Sequence, residues 1–175
     1  MFAIIKDNTI QQLIPSGSQF TIGDIQYPTN WLQLATDDDK TVLGIVEVTY
    51  DTRPNDTYYW VTESVPTYDS ETNTVRVTYT TTDKDIQQLK ALAVQQIKSS
   101  AHSLLSTSDW MVVRAAEPNG TAVSTPWLTW RASIRTAAQT QITTINSATT
   151  VAELIAITPV SWPTDPNFEV VASIN

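Results

Sequence analysis

Cysteine is missing from all 175 residues, and histidine occurs once, at His102. The first absence excludes disulfides, thiolate metal sites and Cys nucleophiles. The second leaves little material for a His-rich metal site or a Ser-His arrangement. Glycine is nearly as scarce, with 4 residues, and none stands in a GxGxxG or GxxxxGK pattern, so phosphate-cradling loops are absent. Charged residues make up only 16% of the chain, beside a usual share of about 25%. The polar surface must therefore come from Thr, Ser, Gln and Asn. Basic residues are the scarcer sign, 10 against 18 acidic for a net charge of -8. No basic run offsets this locally, so nucleic acid and anionic membrane are not expected as partners. No cofactor and no metal is expected. An enzyme is the least favoured class, because no Ser-His pairing, metal cluster or phosphate loop is recognisable.

Long apolar runs are missing too. Residues 1–7 place Lys6 and Asp7 after only a few apolar residues, too short a stretch for a signal peptide or a membrane span. The expectation is a protein made and kept in a cytoplasm. Its length fits one ordinary domain, or a small β unit followed by a small helical unit.

What is present begins with β-prone runs. Residues 2–5 and 9–14 flank Lys6, Asp7 and Asn8 and predict an opening hairpin, since Asp and Asn tolerate turn conformations. Pro15, Ser16 and Gly17 stop it, and 19–25 adds a short edge strand. Pro28 holds Tyr27 extended and places Trp31 and Leu32 where they plug the sheet. Asp37, Asp38 and Asp39 are a tempting carboxylate site, but the alternating ligands, central Gly and terminal Glu of an EF-hand loop do not follow in register. They read better as the first turn of a short helix capped by Thr36 and stopped by Gly44. Segments 45–50, 57–62 and 74–80 are strand candidates and predict an antiparallel meander with one solvent-facing side.

At Thr82 and Asp83 the apolar period changes from two to about 3.6. Ile86, Leu89, Ala93, Ile97, Ala101 and Leu104 form one stripe, with Asp83 or Thr82 as the cap. Pro126 opens a second helix, whose stripe of Trp127, Trp130, Ile134, Ala138, Ile142 and Ile145 has the same spacing. Two antiparallel helices packed along one seam follow. Thr150 and Glu153 form a capping box for a third, short helix to about residue 157. The fold class is thus α+β: an N-terminal antiparallel β meander, then a C-terminal antiparallel helical hairpin with a short third helix. The expected divisions are a β-rich module at 1–82, a helical module at 83–158 and an extended, proline-broken tail at 159–175.

Aromatic and cationic residues concentrate between and along the two long helices: Trp110, Arg114, Trp127, Trp130, Arg131 and Arg135. Two roles suit them. Arg131 and Arg135, four apart, can fork a partner's carboxylate, or pair with Asp109 or Glu117 and fix the helix connection. The tryptophans can form the core of the hairpin or a partner-binding hot spot. His102 sits beside the stripe, without a second His or an obvious carboxylate.

Leu104-Leu105 followed by Ser108-Asp109-Trp110, then Arg114, Glu117, Pro126-Trp127, Trp130-Arg131, Arg135 and, near the end, Trp162-Pro163, resembles the carboxy-terminal region of tail fibre assembly proteins of tailed bacteriophages. More loosely, 23–32 and 43–45 resemble a small module at the front of phage tail-associated proteins. In this chain the link 117–123 is longer and more neutral than that pattern has. The resemblance implies a chaperone that binds a trimeric, β-rich tail fibre protein and assists its folding, through Trp110, Arg114, Trp127, Trp130, Arg131 and Arg135. It is compatible with a homo-oligomer, and places the chain in the host cytoplasm during assembly. The alternative is a virion component, an adaptor retained in the tail.

Overall fold

A computed structural model describes residues 1–166, which divide into two compact units, one from Met1 to Thr82 and one from Asp83 onward. The first unit opens with the hairpin of β1 (Phe2–Lys6) and β2 (Thr9–Ile14), whose turn residues Asp7 and Asn8 have φ of 50° and 56°. Only short polar side chains tolerate that pair readily, which explains the residue choice. The ladder shifts register between Ile4 and Ile5, and there the Ile5 N–H donates to the Gly44 carbonyl at 2.8 Å. Gly44 has a φ of +66°, and a Cβ on it would lie 2.6 Å from the Ile5 carbonyl oxygen, so the approach requires glycine.

The segment expected as one edge strand is a separate hairpin of β3 (Phe20–Ile22) and β4 (Ile25–Tyr27). It leads to two short helices, α1 (Trp31–Leu34) and α2 (Asp37–Val42). Leu32 is buried, and Trp31 sits edge-on to Tyr27 and Phe20 with ring centroids 5.0 and 5.8 Å away. Thr36 caps α2: its hydroxyl accepts the Asp39 N–H at 3.2 Å, while the Asp39 carboxylate accepts the Thr36 N–H at 3.0 Å. The Thr36 hydroxyl, then its backbone N–H, holds the Asp39 carboxyl below the usual aspartate range. Among the described residues no cluster of three or more His, Cys, Asp or Glu could hold a metal ion.

The remaining strands are β5 (Ile45–Tyr50), β6 (Tyr59–Glu63), β7 (Thr67–Asp69), β8 (Thr74–Val77) and β9 (Tyr79–Asp83). The main sheet has the order β2-β1-β5-β8-β7 and is antiparallel except for β5 against β8, which run parallel with Val48 opposite Val75. Here the expected meander is interrupted. Strand β6 does not fold back beside β5 and instead pairs with β9 in a two-stranded ribbon. The link between β5 and β6 contains Pro54, which has no N–H to donate, and is tied by Arg53, whose Nε and Nη2 each reach Asp56 at 3.1 Å. Sheet and ribbon join at Thr78, whose N–H and hydroxyl donate to Ser64 Oγ at 3.0 and 3.2 Å.

The core of this unit lies on both sides of β1. Ile4 belongs to a cluster with Ile14, Phe20, Leu32 and Ile45, and Ala3 to another with Val48, Val75 and Val77. Successive residues of a strand point to opposite faces, so β1 is covered twice, where the sequence predicted one solvent-facing side.

The second unit contains α3 (Ile86–Ser106), α4 (Asp109–Ala116), α5 (Thr125–Ser147) and α6 (Val151–Ala156). Asp85 caps α3, its carboxylate accepting the Gln88 N–H at 2.9 Å. The cap lies beyond Asp83, because β9 continues through that residue. The two predicted stripes meet: Ala101 packs with Trp130, Ile134 and Ala138, flanked by Ile97, Leu104 and Trp127. The helices are antiparallel, since Lys90 near the start of α3 reaches the end of α5. Its Nζ donates to the carbonyls of Asn146 and Ala148 at 2.6 and 2.7 Å, a cation at a helix C-terminus. Thr150 and Glu153 form the expected capping box on α6. The Thr149 backbone N–H, then its hydroxyl, holds the Glu153 carboxyl below its ordinary value.

After α6 the chain returns along the hairpin, with Trp162 packed against the Ala101 and Trp130 cluster. The rest of the expected tail, 167–175, lies outside the described residues. No helix among those described is long and apolar enough to cross a membrane.

Candidate functional site

The connection between the long helices is not a loop. Ser108 and Asp109 start α4, with Asp109 in the first turn, where a carboxylate favours the helix N-terminus. Ser108 does not cap this helix. Fully buried, its hydroxyl donates to the Leu105 carbonyl at 3.0 Å and accepts from Arg131 Nη1. The same Nη1 donates to the Leu105 carbonyl at 2.9 Å, and Nη2 donates to Asp109 Oδ1 at 2.7 Å. A guanidinium suits this place because its planar fork serves three acceptors at once. One side chain from α5 thereby closes the C-terminal end of α3 and the N-terminal end of α4. Among the described residues no buried side-chain nitrogen or oxygen is left without a partner.

The six candidate residues separate by this geometry. Arg131 is 6% exposed and spent on the connection, so it is not the partner fork that its spacing from Arg135 allowed. Trp130 is likewise buried: its Nε1 donates to the Pro163 carbonyl at 3.0 Å, and its ring meets Trp127 edge-on at 5.4 Å. Both serve the interior, because they fall on or beside the α5 stripe that faces α3. Trp127 is half-buried, while Trp110, Arg114 and Arg135 are exposed. Arg114 and Arg135 make no side-chain hydrogen bond or ion pair among the described residues.

Helix α4 buries no residue fully. Trp110 is 56% exposed and Val113 64%, and Val112 and Leu128 are exposed as well. Beside this face lies an open groove of about 220 Å³, lined by Trp110, Met111 and Arg114 from α4, Trp127 from α5 and the intervening stretch 121–124. The long neutral link is thus one wall of the groove. It is shaped by Gly120, whose N–H donates to the Glu117 carbonyl at 2.9 Å and on which a Cβ would collide with the Arg114 carbonyl. The groove brings Trp110, Arg114 and Trp127 together and leaves out Arg135, Trp130 and Arg131.

Sequence reasoning missed Ser108 as the buried polar centre, and Val113 and Met111 as parts of the exposed helix. The signal for α4 was available in Ser108-Asp109, a residue pair common at helix starts, with an apolar run behind it. Chemically the site offers aromatic surface, the Arg114 cation, the hydroxyl-bearing Thr121 and Ser124 and backbone polar groups. No family model, curated protein or solved structure matches this chain.

Proposed function

We propose that the chain is a tail fibre assembly chaperone that docks a fibre protein on α4 and the adjoining groove. The observation that supports this most is the exposed apolar face of α4, an eight-residue helix that shows Trp110, Val112 and Val113 to solvent while its N-terminal end is held by Arg131 on Asp109. A helix so short has little stability of its own. Fixing it to display apolar surface suits a partner-binding role. The second support is the family resemblance, whose motif residues Ser108, Asp109 and Arg131 form the node that positions this helix. The proposed mechanism is passive. The groove covers apolar surface on the unassembled fibre until its chains register, and stabilises that state by mass action without nucleotide.

Co-expression with the neighbouring fibre gene, followed by size exclusion and mass measurement, tests the reading. Soluble trimeric fibre recovered only in the presence of this chain, and free of it afterwards, is the expected result. A stable stoichiometric complex carried into purified particles would establish the adaptor instead. Absence of any effect on the fibre would overturn both. Alanine at Trp110 and Arg114 together is expected to abolish recovery while leaving the fold intact, since both side chains are exposed.

A further inference from the structure

The groove beside α4 carries more than an apolar patch. Its volume, about 220 Å³, is below the roughly 300–1,000 Å³ usual for cofactor and small-molecule sites. It suits one large anchoring side chain. Trp110 and Trp127 supply aromatic surface for that anchor, with Met111 beside them. Along one wall the backbone N–H groups of Thr121, Ala122 and Val123 make no hydrogen bond among the described residues. A stretch outside helix and strand, with backbone groups not used internally, can pair beside an apolar slot with an extended peptide through the N–H and C=O of alternate residues. Arg114 adds an exposed guanidinium without an ion pair among the described residues, while the nearest acid along the chain, Glu117, does not line the groove and Asp109 is taken by Arg131.

We infer that the groove receives an extended segment of the partner in which a large apolar side chain stands next to an Asp or Glu. This rests on the reading of α4 as the docking face. The apolar side chain enters between Trp110 and Trp127, the backbone pairs along 121–123, and the carboxylate meets Arg114 in a charge-assisted hydrogen bond. With a net charge of -8 the chain repels acidic segments in general. An acidic segment is therefore held only in the register that sets its carboxylate on Arg114, which gives specificity as well as affinity. A partner's free carboxy-terminus is a poorer fit, because such termini are captured by converging donors in a closed nest, and this groove is open and has one cation.

The probes are short acetylated, amidated peptides with a central Trp-Glu, Trp-Gln or Trp-Lys pair in a Thr/Ser background, titrated against the full chain by fluorescence anisotropy. Trp-Glu is expected to bind about tenfold more tightly than Trp-Gln, and Trp-Lys more weakly still. Arg114→Ala removes the difference between Trp-Glu and Trp-Gln, and Arg114→Lys restores part of it, with unchanged circular dichroism and urea midpoint in both variants. Equal binding of Trp-Glu and Trp-Gln to the unaltered chain overturns the inference, as does a Trp-Gln peptide with a free carboxy-terminus that outbinds amidated Trp-Glu. The fibre assay separates the two levels. If Arg114→Ala still yields fibre and Trp110→Ala does not, the carboxylate is ruled out and the docking face stands; if the unaltered chain has no effect on fibre, the docking reading itself fails.

Discussion

Arg131 and Asp109 form an ion pair in which the arginine side chain is 7% exposed and the aspartate 52%. The asymmetry predicts unequal costs. Arg131→Ala removes a buried side chain and leaves the buried Ser108 oxygen without its donor, while the Leu105 carbonyl keeps the Ser108 hydroxyl and N–H; it is expected to cost about 3 kcal/mol in urea unfolding. Asp109→Asn keeps a polar acceptor at a half-exposed position but leaves the buried Arg131 guanidinium without its counter-charge, and should cost about 1–2 kcal/mol. Arg131→Lys should recover little, because one ammonium cannot serve three acceptors in a plane.

Gly44→Ala is expected to destabilise the β unit. The residue must hold a positive φ, and its new Cβ would press on the Ile5 carbonyl, for a loss of about 1–3 kcal/mol. Gly120→Ala, by contrast, is expected to leave the β unit unchanged and to deform the groove wall. Thermal unfolding and peptide titration of the two variants should separate these effects.

Trp130→Phe keeps most of the apolar contact and removes the donor to the Pro163 carbonyl, at a cost of about 1 kcal/mol. The segment around Trp162 should then become more sensitive to limited proteolysis, while protection of the β unit is unaltered. Equal cleavage before and after the substitution would show that Trp162 packing alone holds the segment.

Glu153 has a depressed carboxyl pKa in the fold, from hydrogen bonds donated by Thr149 and Thr150. Between the folded and unfolded values the unfolded chain binds more protons, so stability rises with pH there. The contribution is fully present above the unfolded glutamate value and is lost as pH falls through the folded one. The stability difference between the unaltered chain and Glu153→Gln should therefore shrink on acidification, and carbon NMR titration of Glu153 should place its midpoint below an ordinary glutamate.

The parts of this molecule that the sequence made legible are those governed by local rules. The stripes of α3 and α5 appear as spaced apolar residues because a helix fixes which positions share a face, and Thr36 and Thr150 announce their helices because a cap acts within three residues. The parallel pairing of β5 with β8, and the diversion of β6 to β9, depend on partners far along the chain and leave no such mark. The candidate site failed in the same way. Trp110 and Trp130, or Arg114 and Arg131, are the same residue types within one motif, and only the packing of α4 against the hairpin decides which are exposed and which are buried.

The hairpin is fastened at both ends by cations bound to helix-terminal carbonyls: Lys90 from α3 on Asn146 and Ala148, and Arg131 from α5 on Leu105. Sliding one helix past the other by a single turn, about 5.4 Å, would pull both out of hydrogen-bonding reach. The pair therefore resists shear along its length. On the docking role proposed above, a force applied to α4 would pass into the paired helices rather than into slippage, so the groove would keep its shape while a bound segment rearranges.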